Sequence, residues 1–201
     1  MTTPTIAAAA VKDLRERTGA GFMDCKRALE ETDGDLEKAV GLLQERNQAS
    51  AARKAGRDAR EGLVFSYIHT GGRIGSLIEV NCETDFVART DEFQKLVRDL
   101  AMQVVALHAQ YPTIESIPAA VLEAKRDELL GDPTVQAKPE AVRSQIVEGQ
   151  LKKWYQQVVL AEQPFRDTEM TVGQLVLSSI AKIGENIRVR RFVRFELGEG
   201  S

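Results

Sequence analysis

The apolar residues of this 201-residue chain change their spacing once, near residue 62, and that change restricts the fold more than any other feature. Up to residue 50 they recur every three or four positions. Val11 and Leu14 are extended by Ile6 and Ala10, Phe22, Met23, Cys25, Ala28 and Leu29 form a second face, and Leu36, Ala39, Val40 and Leu43 form a third. A period of about 3.6 is what one side of an α-helix needs in order to be buried. From Leu63 onward the pattern is different. Leu63 to Ile68 is short and rich in strand formers, and Ile74, Ser76, Ile78, Val80 and Cys82 take every second position. Successive side chains of a strand point to opposite faces, so this alternation makes one face of a half-buried strand. Thr70-Gly71-Gly72-Arg73 between the two runs is a turn signal, which makes them an antiparallel hairpin.

The punctuation agrees with this division. Thr18-Gly19-Ala20-Gly21 breaks the first helix, and Asp33-Gly34-Asp35 separates the second from the third. Three short helices with small apolar faces suit a compact module of the ubiquitin-associated type over residues 1–48. Residues 49–61, rich in Ala and Arg, read as a linker helix and domain boundary. Residues 62–201 read as an α+β core with a small antiparallel sheet and a helical hairpin. Within it, Phe93, Leu96, Val97, Leu100, Val104 and Leu107 predict an amphipathic helix. Helices from Ala119 to Leu130 and from Glu140 to Ala161, the second carrying Val142, Ile146, Trp154 and Val158, are expected to pair. Val172, Leu175, Val176, Ile180 and Ile183 predict a helix that Gly184 ends. In the last strand Ile187, Val189, Val193, Phe195 and Leu197 alternate with charged residues, and Arg191 interrupts them as a bulge, a buried pair or an edge.

No active site emerges. Gly19-Ala20-Gly21 follows no strand and lacks a third glycine, and no phosphate-binding Gly-x-x-x-x-Gly-Lys-Ser/Thr loop occurs, so direct nucleotide binding is not expected. His69 and His108 are the only histidines and have no ligand spacing with each other or with Cys25 and Cys82, so neither a metal nor a cofactor is expected. The two cysteines read as buried thiols. No apolar run is long enough to span a bilayer, and Met1-Thr2-Thr3-Pro4 lacks the features of a secretion signal, which leaves a cytoplasmic protein as the expectation. Net charge is −3, yet Arg46 to Arg60 and Lys182 to Phe195 each hold five basic residues and one acid. Such stretches suit solvated surfaces, an acidic protein face or RNA, but aromatic residues are too sparse for a base-stacking platform and nucleic acid is not the expected partner.

Specific strings carry the reading further. Val11 to Gly21 followed by Met23-Asp24-Cys25-Lys26, then Glu79 to Ala88, Ile183 to Ile187 and Arg194 to Gly200, resemble in order the elongation factor Ts family. That resemblance implies a guanine-nucleotide exchange factor for the GTPase elongation factor Tu, working without bond chemistry. It implies that Thr84, Asp85, Phe86 and Val87 form the tip that enters the partner and disturbs its magnesium and phosphate region. It also implies partner-facing roles for Arg15, Phe22, Met23 and Lys26, and for His69. Taken alone, Phe86 reads as a core residue and Asp85 as the cap of a helix starting near Thr90. The chain has room for one core module, as in short members of the family, which implies a homodimer formed through residues 62–201. Val193 stands where some short relatives have a cysteine, so the pairing must be non-covalent. An adaptor using the helical module and an RNA binder using the basic stretches are the rival readings.

Overall fold

In the computed structural model, residues 6–166 and 168–199 are described. The Met1–Pro4 segment and Gly200 of the C-terminal string lie outside them. Helix α1 (Ala8–Thr18) ends at Gly19, whose φ of 66° is in the left-handed region that closes helices and that a side chain resists. Any Cβ there would also sit 3.3 Å from the Ser178 hydroxyl, so the same glycine lets this module approach the rest of the protein. Helices α2 (Phe22–Glu31) and α3 (Leu36–Lys54) follow. Asp35 caps α3 by accepting a hydrogen bond from the Lys38 N–H at 3.0 Å. Val11, Leu14, Cys25, Ala28, Leu29, Ala39 and Leu43 close a small core between the three helices.

No helix of its own begins in the stretch 49–61: α3 runs on into it unbroken as far as Lys54. Ala39 and Leu43 of α3 belong to the small core, whereas Ala51 belongs to the main one. One helix therefore serves both cores. Arg17 adds a second tie, with Nε 2.7 Å from Glu169 and Nη2 2.8 Å from Glu37.

The hairpin is β1 (Glu61–Ile68) and β2 (Ile74–Cys82), and the final strand β3 (Arg188–Glu196) pairs with the free side of β2, giving an antiparallel sheet of order β1-β2-β3. The chain is thus α+β. Between β2 and the sheet's covering helix lies a single turn, α4 (Asp85–Ala88). The covering helix α5 (Asp91–Ala106) buries Phe93, Val97, Leu100, Ala101 and Val104 against Ile78, Val80 and Cys82. Ser76 shares that inner face and donates to the Ala101 carbonyl at 2.9 Å, which satisfies its buried hydroxyl.

Helices α6 (Ala119–Gly131) and α8 (Glu140–Val158) pair, with the short α7 (Pro133–Gln136) in the connection between them. Helix α8 stops at Val158, three residues before the expected Ala161, and Val142 is exposed. Val147 and Leu151 are buried in that half of α8 instead, because α7 covers that side with Val135, and Val158 is buried at the helix end. Helix α9 (Val172–Ile183) packs on α3 and ends at Gly184, with φ 90°.

The last strand departs from its expected pattern. Glu79 faces Arg191 and Val80 faces Val189, so Arg190 is an extra residue that β2 does not match. Val189 and Phe192 point to the core, and beyond the bulge Val193 and Phe195 point outward. The single apolar face expected from Val189 to Leu197 is split between the two sides of the sheet. Arg191 sits at the bulge, on an edge strand and in a pair, its Nε 2.7 Å from Glu79. Burial pushes the Glu79 carboxyl up, but the hydrogen bond from Arg191 and the charges of Arg191 and Arg190 outweigh it and hold the group below its usual value. The outer face collects Val64, Ile68, Leu77, Val193 and Phe195, all exposed.

Candidate functional site

Strand β2 is buried to its end, and Cys82 anchors the corner after it by donating its thiol to the Thr84 carbonyl at 3.2 Å. Burial, and after it the charge of Glu185, pushes that thiol up to about 11, so it is neutral at physiological pH. Thr84 then caps α4: its hydroxyl accepts the Val87 N–H at 3.3 Å. Val87 packs against the main core and Ala88 is buried. With those two residues turned inward on a single helical turn, Phe86 is left on the outward side, 78% exposed. Asp85 beside it is paired with Arg89 at 2.8 Å. The reading of Phe86 as core is overturned, and so is that of Asp85 as the cap of the next helix. Thr90 caps α5, accepting the Phe93 N–H at 3.3 Å.

The corner is also held from a distant part of the chain. Glu185, just after α9, accepts the N–H groups of Glu83 and Thr84 on one oxygen, at 3.0 and 3.1 Å, and the Thr84 hydroxyl on the other, at 2.7 Å. Glu83 in turn accepts the Asn186 N–H at 2.6 Å, and the Asn186 amide donates to the Arg57 carbonyl at 3.0 Å. Sequence reasoning gave Glu83, Glu185 and Asn186 no role. Both stretches lie within strings that carry the family resemblance, Glu79 to Ala88 and Ile183 to Ile187, yet neither string tells what its side chains reach.

The other candidate residues fall into two groups. Arg15 is exposed and lines a groove with Asp91, Glu92, Lys95 and Lys182, next to the start of α5 and so downstream of the tip. Phe22 and Met23 open α2 and are 51% and 59% exposed, and Lys26 is exposed one turn on. His69 is elsewhere. It lies past Ile68, whose partner is Gly75, whereas the tip follows Cys82, whose partner is Glu61. Those two rungs are seven residues apart along β1, about 23 Å at the usual rise per residue. His69 shares a hydrogen bond with Tyr67 at 2.9 Å.

Among the described residues, one group places three metal-type ligands together, His108, Glu196 and Glu199, and Arg194 already pairs with both carboxylates. No helix among them is long and apolar enough to cross a membrane. The geometry at the corner is that of a presented aromatic side chain on an anchored base.

A family model described as Elongation factor TS matches residues 5–199. The chain belongs to the elongation factor Ts family. Its similarity to curated members is high over nearly the whole length. It is 54% identical to the elongation factor Ts of Heliobacterium modesticaldum over 196 residues, covering 97% of this chain and 91% of that one. It is 56% identical to that of Carboxydothermus hydrogenoformans over 191 residues, covering 94% and 88%. With that of a Thermoanaerobacter species it shares 56% identity over 196 residues, covering 97% and 96%. Elongation factor Ts membership ties this chain to the elongation stage of translation.

Proposed function

We propose that this protein promotes release of GDP from elongation factor Tu by inserting the Asp85-Phe86 tip, and that it does so in the cytoplasm as a homodimer. The observation that carries this reading is the exposure of Phe86 on a one-turn helix whose other side is buried. Exchange makes and breaks no covalent bond. The factor has to bind the GTPase in a state that holds GDP poorly, more tightly than the GDP-bound state, and linkage then weakens GDP binding by the same ratio. A coupling of roughly 10⁴ needs about 5.5 kcal/mol of differential binding, more than one side chain supplies. Burying a Phe contributes about 1.5 to 3 kcal/mol. Asp85, brought with it, adds a negative charge near the magnesium and phosphates.

The remainder comes from Thr84 and Val87 at the tip and from Arg15, Phe22, Met23 and Lys26 on the N-terminal module, which we take to be of the ubiquitin-associated type. His69, at the opposite end of the hairpin, makes a separate contact. The apolar outer face of the sheet supports dimerisation. Two such faces packed together would form a sandwich at the usual spacing of about 10 Å. Release of labelled GDP from elongation factor Tu, with and without this chain, tests the function. An unchanged release rate overturns it. Light scattering tests the dimer, which a particle of 22.2 kDa would refute.

A further inference from the structure

We infer that Glu185 is a positioning residue for the Phe86 tip, fixing where the aromatic ring stands relative to the N-terminal module. The inference rests on the reading of Phe86 as the inserted group. Glu185 is 101 positions from Thr84 in sequence, yet its carboxylate takes three hydrogen bonds from the corner that carries Phe86. Two of the donors are backbone N–H groups at the point where β2 has ended and α4 has not begun, so no ladder or helix supplies them with an acceptor. Bonds to an ionised carboxylate are shorter and about twice as strong as neutral ones. The third donor is the Thr84 hydroxyl. With its proton directed at Glu185, that hydroxyl turns a lone pair toward the Val87 N–H, so Glu185 sets the rotamer that caps α4.

The next residue extends the brace. Asn186 donates its N–H to Glu83 and its side-chain amide to the carbonyls of Ala55 and Arg57, in the turn after α3. That turn ends the helix whose other half holds the N-terminal module together. Glu185 and Asn186 therefore tie the tip to the module that bears Arg15, Phe22 and Met23. The neighbouring Asp85–Arg89 pair does nothing comparable. It joins residues four apart on an exposed turn, where an ion pair holds little.

The test is stimulated release of labelled GDP from elongation factor Tu, at saturating concentrations of wild type and of Glu185→Ala, Glu185→Gln, Phe86→Ala and the Phe86→Ala/Glu185→Ala double variant. Glu185→Ala should lower the maximal rate about 10-fold, the factor that one charge-assisted hydrogen bond represents. Glu185→Gln should stay within about threefold of wild type, because its amide oxygen still accepts an N–H and its amino group can face the Thr84 oxygen. In the Phe86→Ala background, Glu185→Ala should slow release by less than about twofold, since groups acting as a unit are not additive. Multiplication of the two effects, or a wild-type rate for Glu185→Ala, overturns the inference. A wild-type rate for Phe86→Ala identifies a different failure, that of the inserted-ring reading itself. Should Glu185→Ala melt below the assay temperature, Thr84→Val removes the hydroxyl arm, with the cap that the same oxygen gives α4, and leaves the two N–H arms in place. It should slow release about threefold, and again not when Phe86 is Ala.

Discussion

Phe86→Ala separates a residue kept for a partner from one kept for the fold. The ring is 78% exposed, so about a fifth of its burial is realised in the free protein. Against roughly 1.5 to 3 kcal/mol for complete burial, truncation should remove about 0.3 to 0.7 kcal/mol of stability. For a chain of this size that is a fall in Tm of about 1 to 3 °C. The unrealised part, roughly 1.2 to 2.3 kcal/mol, is available only in the complex. If the ring is buried only in the complex that releases GDP, its loss should slow maximal release about 7- to 45-fold. The assay is stopped-flow release of fluorescent GDP from elongation factor Tu at saturating exchange factor, with a thermal melt on the same samples. Equal maximal rates would refute the role given to the ring. A fall in Tm of 10 °C or so with a normal rate would mean that Phe86 belongs to the fold.

Leu77→Asp with Val193→Asp should convert the dimer to a monomer by light scattering, because each places a carboxylate in the centre of the outer face and opposite the other on paired strands. An unchanged mass would move the interface elsewhere. Ellman's reagent at pH 8 should leave both thiols of the folded protein unlabelled and react with both in denaturant, since Cys25 and Cys82 are buried. The Cys82 pKa is raised from its ordinary 9.0 to about 11, so the folded state holds a proton that the unfolded state gives up between those values. Urea midpoints should therefore fall as pH rises from about 9 toward 11, less steeply in Cys82→Ala. Glu79 has the opposite sign. Its pKa is depressed, so its contribution is complete above the ordinary 4.5 and is lost as pH falls through the lower folded value. Urea titrations across that acidic range should show a shallower loss for Glu79→Gln, and a slope equal to wild type would exclude the Arg191 pair as a source of acid sensitivity.

The features legible in the sequence are those set by neighbours a few residues away. Gly19 and Gly184 announce helix ends because a left-handed φ excludes most other residues, and both sit at such φ values. The alternation of Ile74, Ser76, Ile78, Val80 and Cys82 gave the buried face of β2 because pleating is local. Arg191 marked a bulge as one of three alternatives, but what the bulge does to the face beyond it was not legible in the same way. Val189, Val193 and Phe195 keep an even spacing, and only the pairing of Arg191 with Glu79, more than a hundred residues away, turns the last two outward. Val142 and Val147 on α8 are equally apolar, and α7 decides which is covered. At the site, the tip was found through its resemblance to a family, since an exposed Phe and a buried one look identical in a string of letters. The contacts of Glu185 were invisible for a stronger reason: all three of its bonds at the corner are to groups about a hundred positions earlier.

That separation in sequence has a consequence for how the protein comes into being. A ribosome completes β2, α4 and the covering helix α5 well before it adds Glu185. A nascent chain that has reached the end of α9 holds the residues of the hairpin, the covering helix and the tip, but not yet the acceptor for the corner beneath the ring. The remaining residues bring the Glu185-Asn186 turn and then β3, which supplies Val193 and Phe195 to the outer face of the sheet. The proposed docking tip and the proposed pairing face are thus finished within the same short span of synthesis. A chain released early would lack both the brace of the proposed tip and the strand that completes the proposed pairing face.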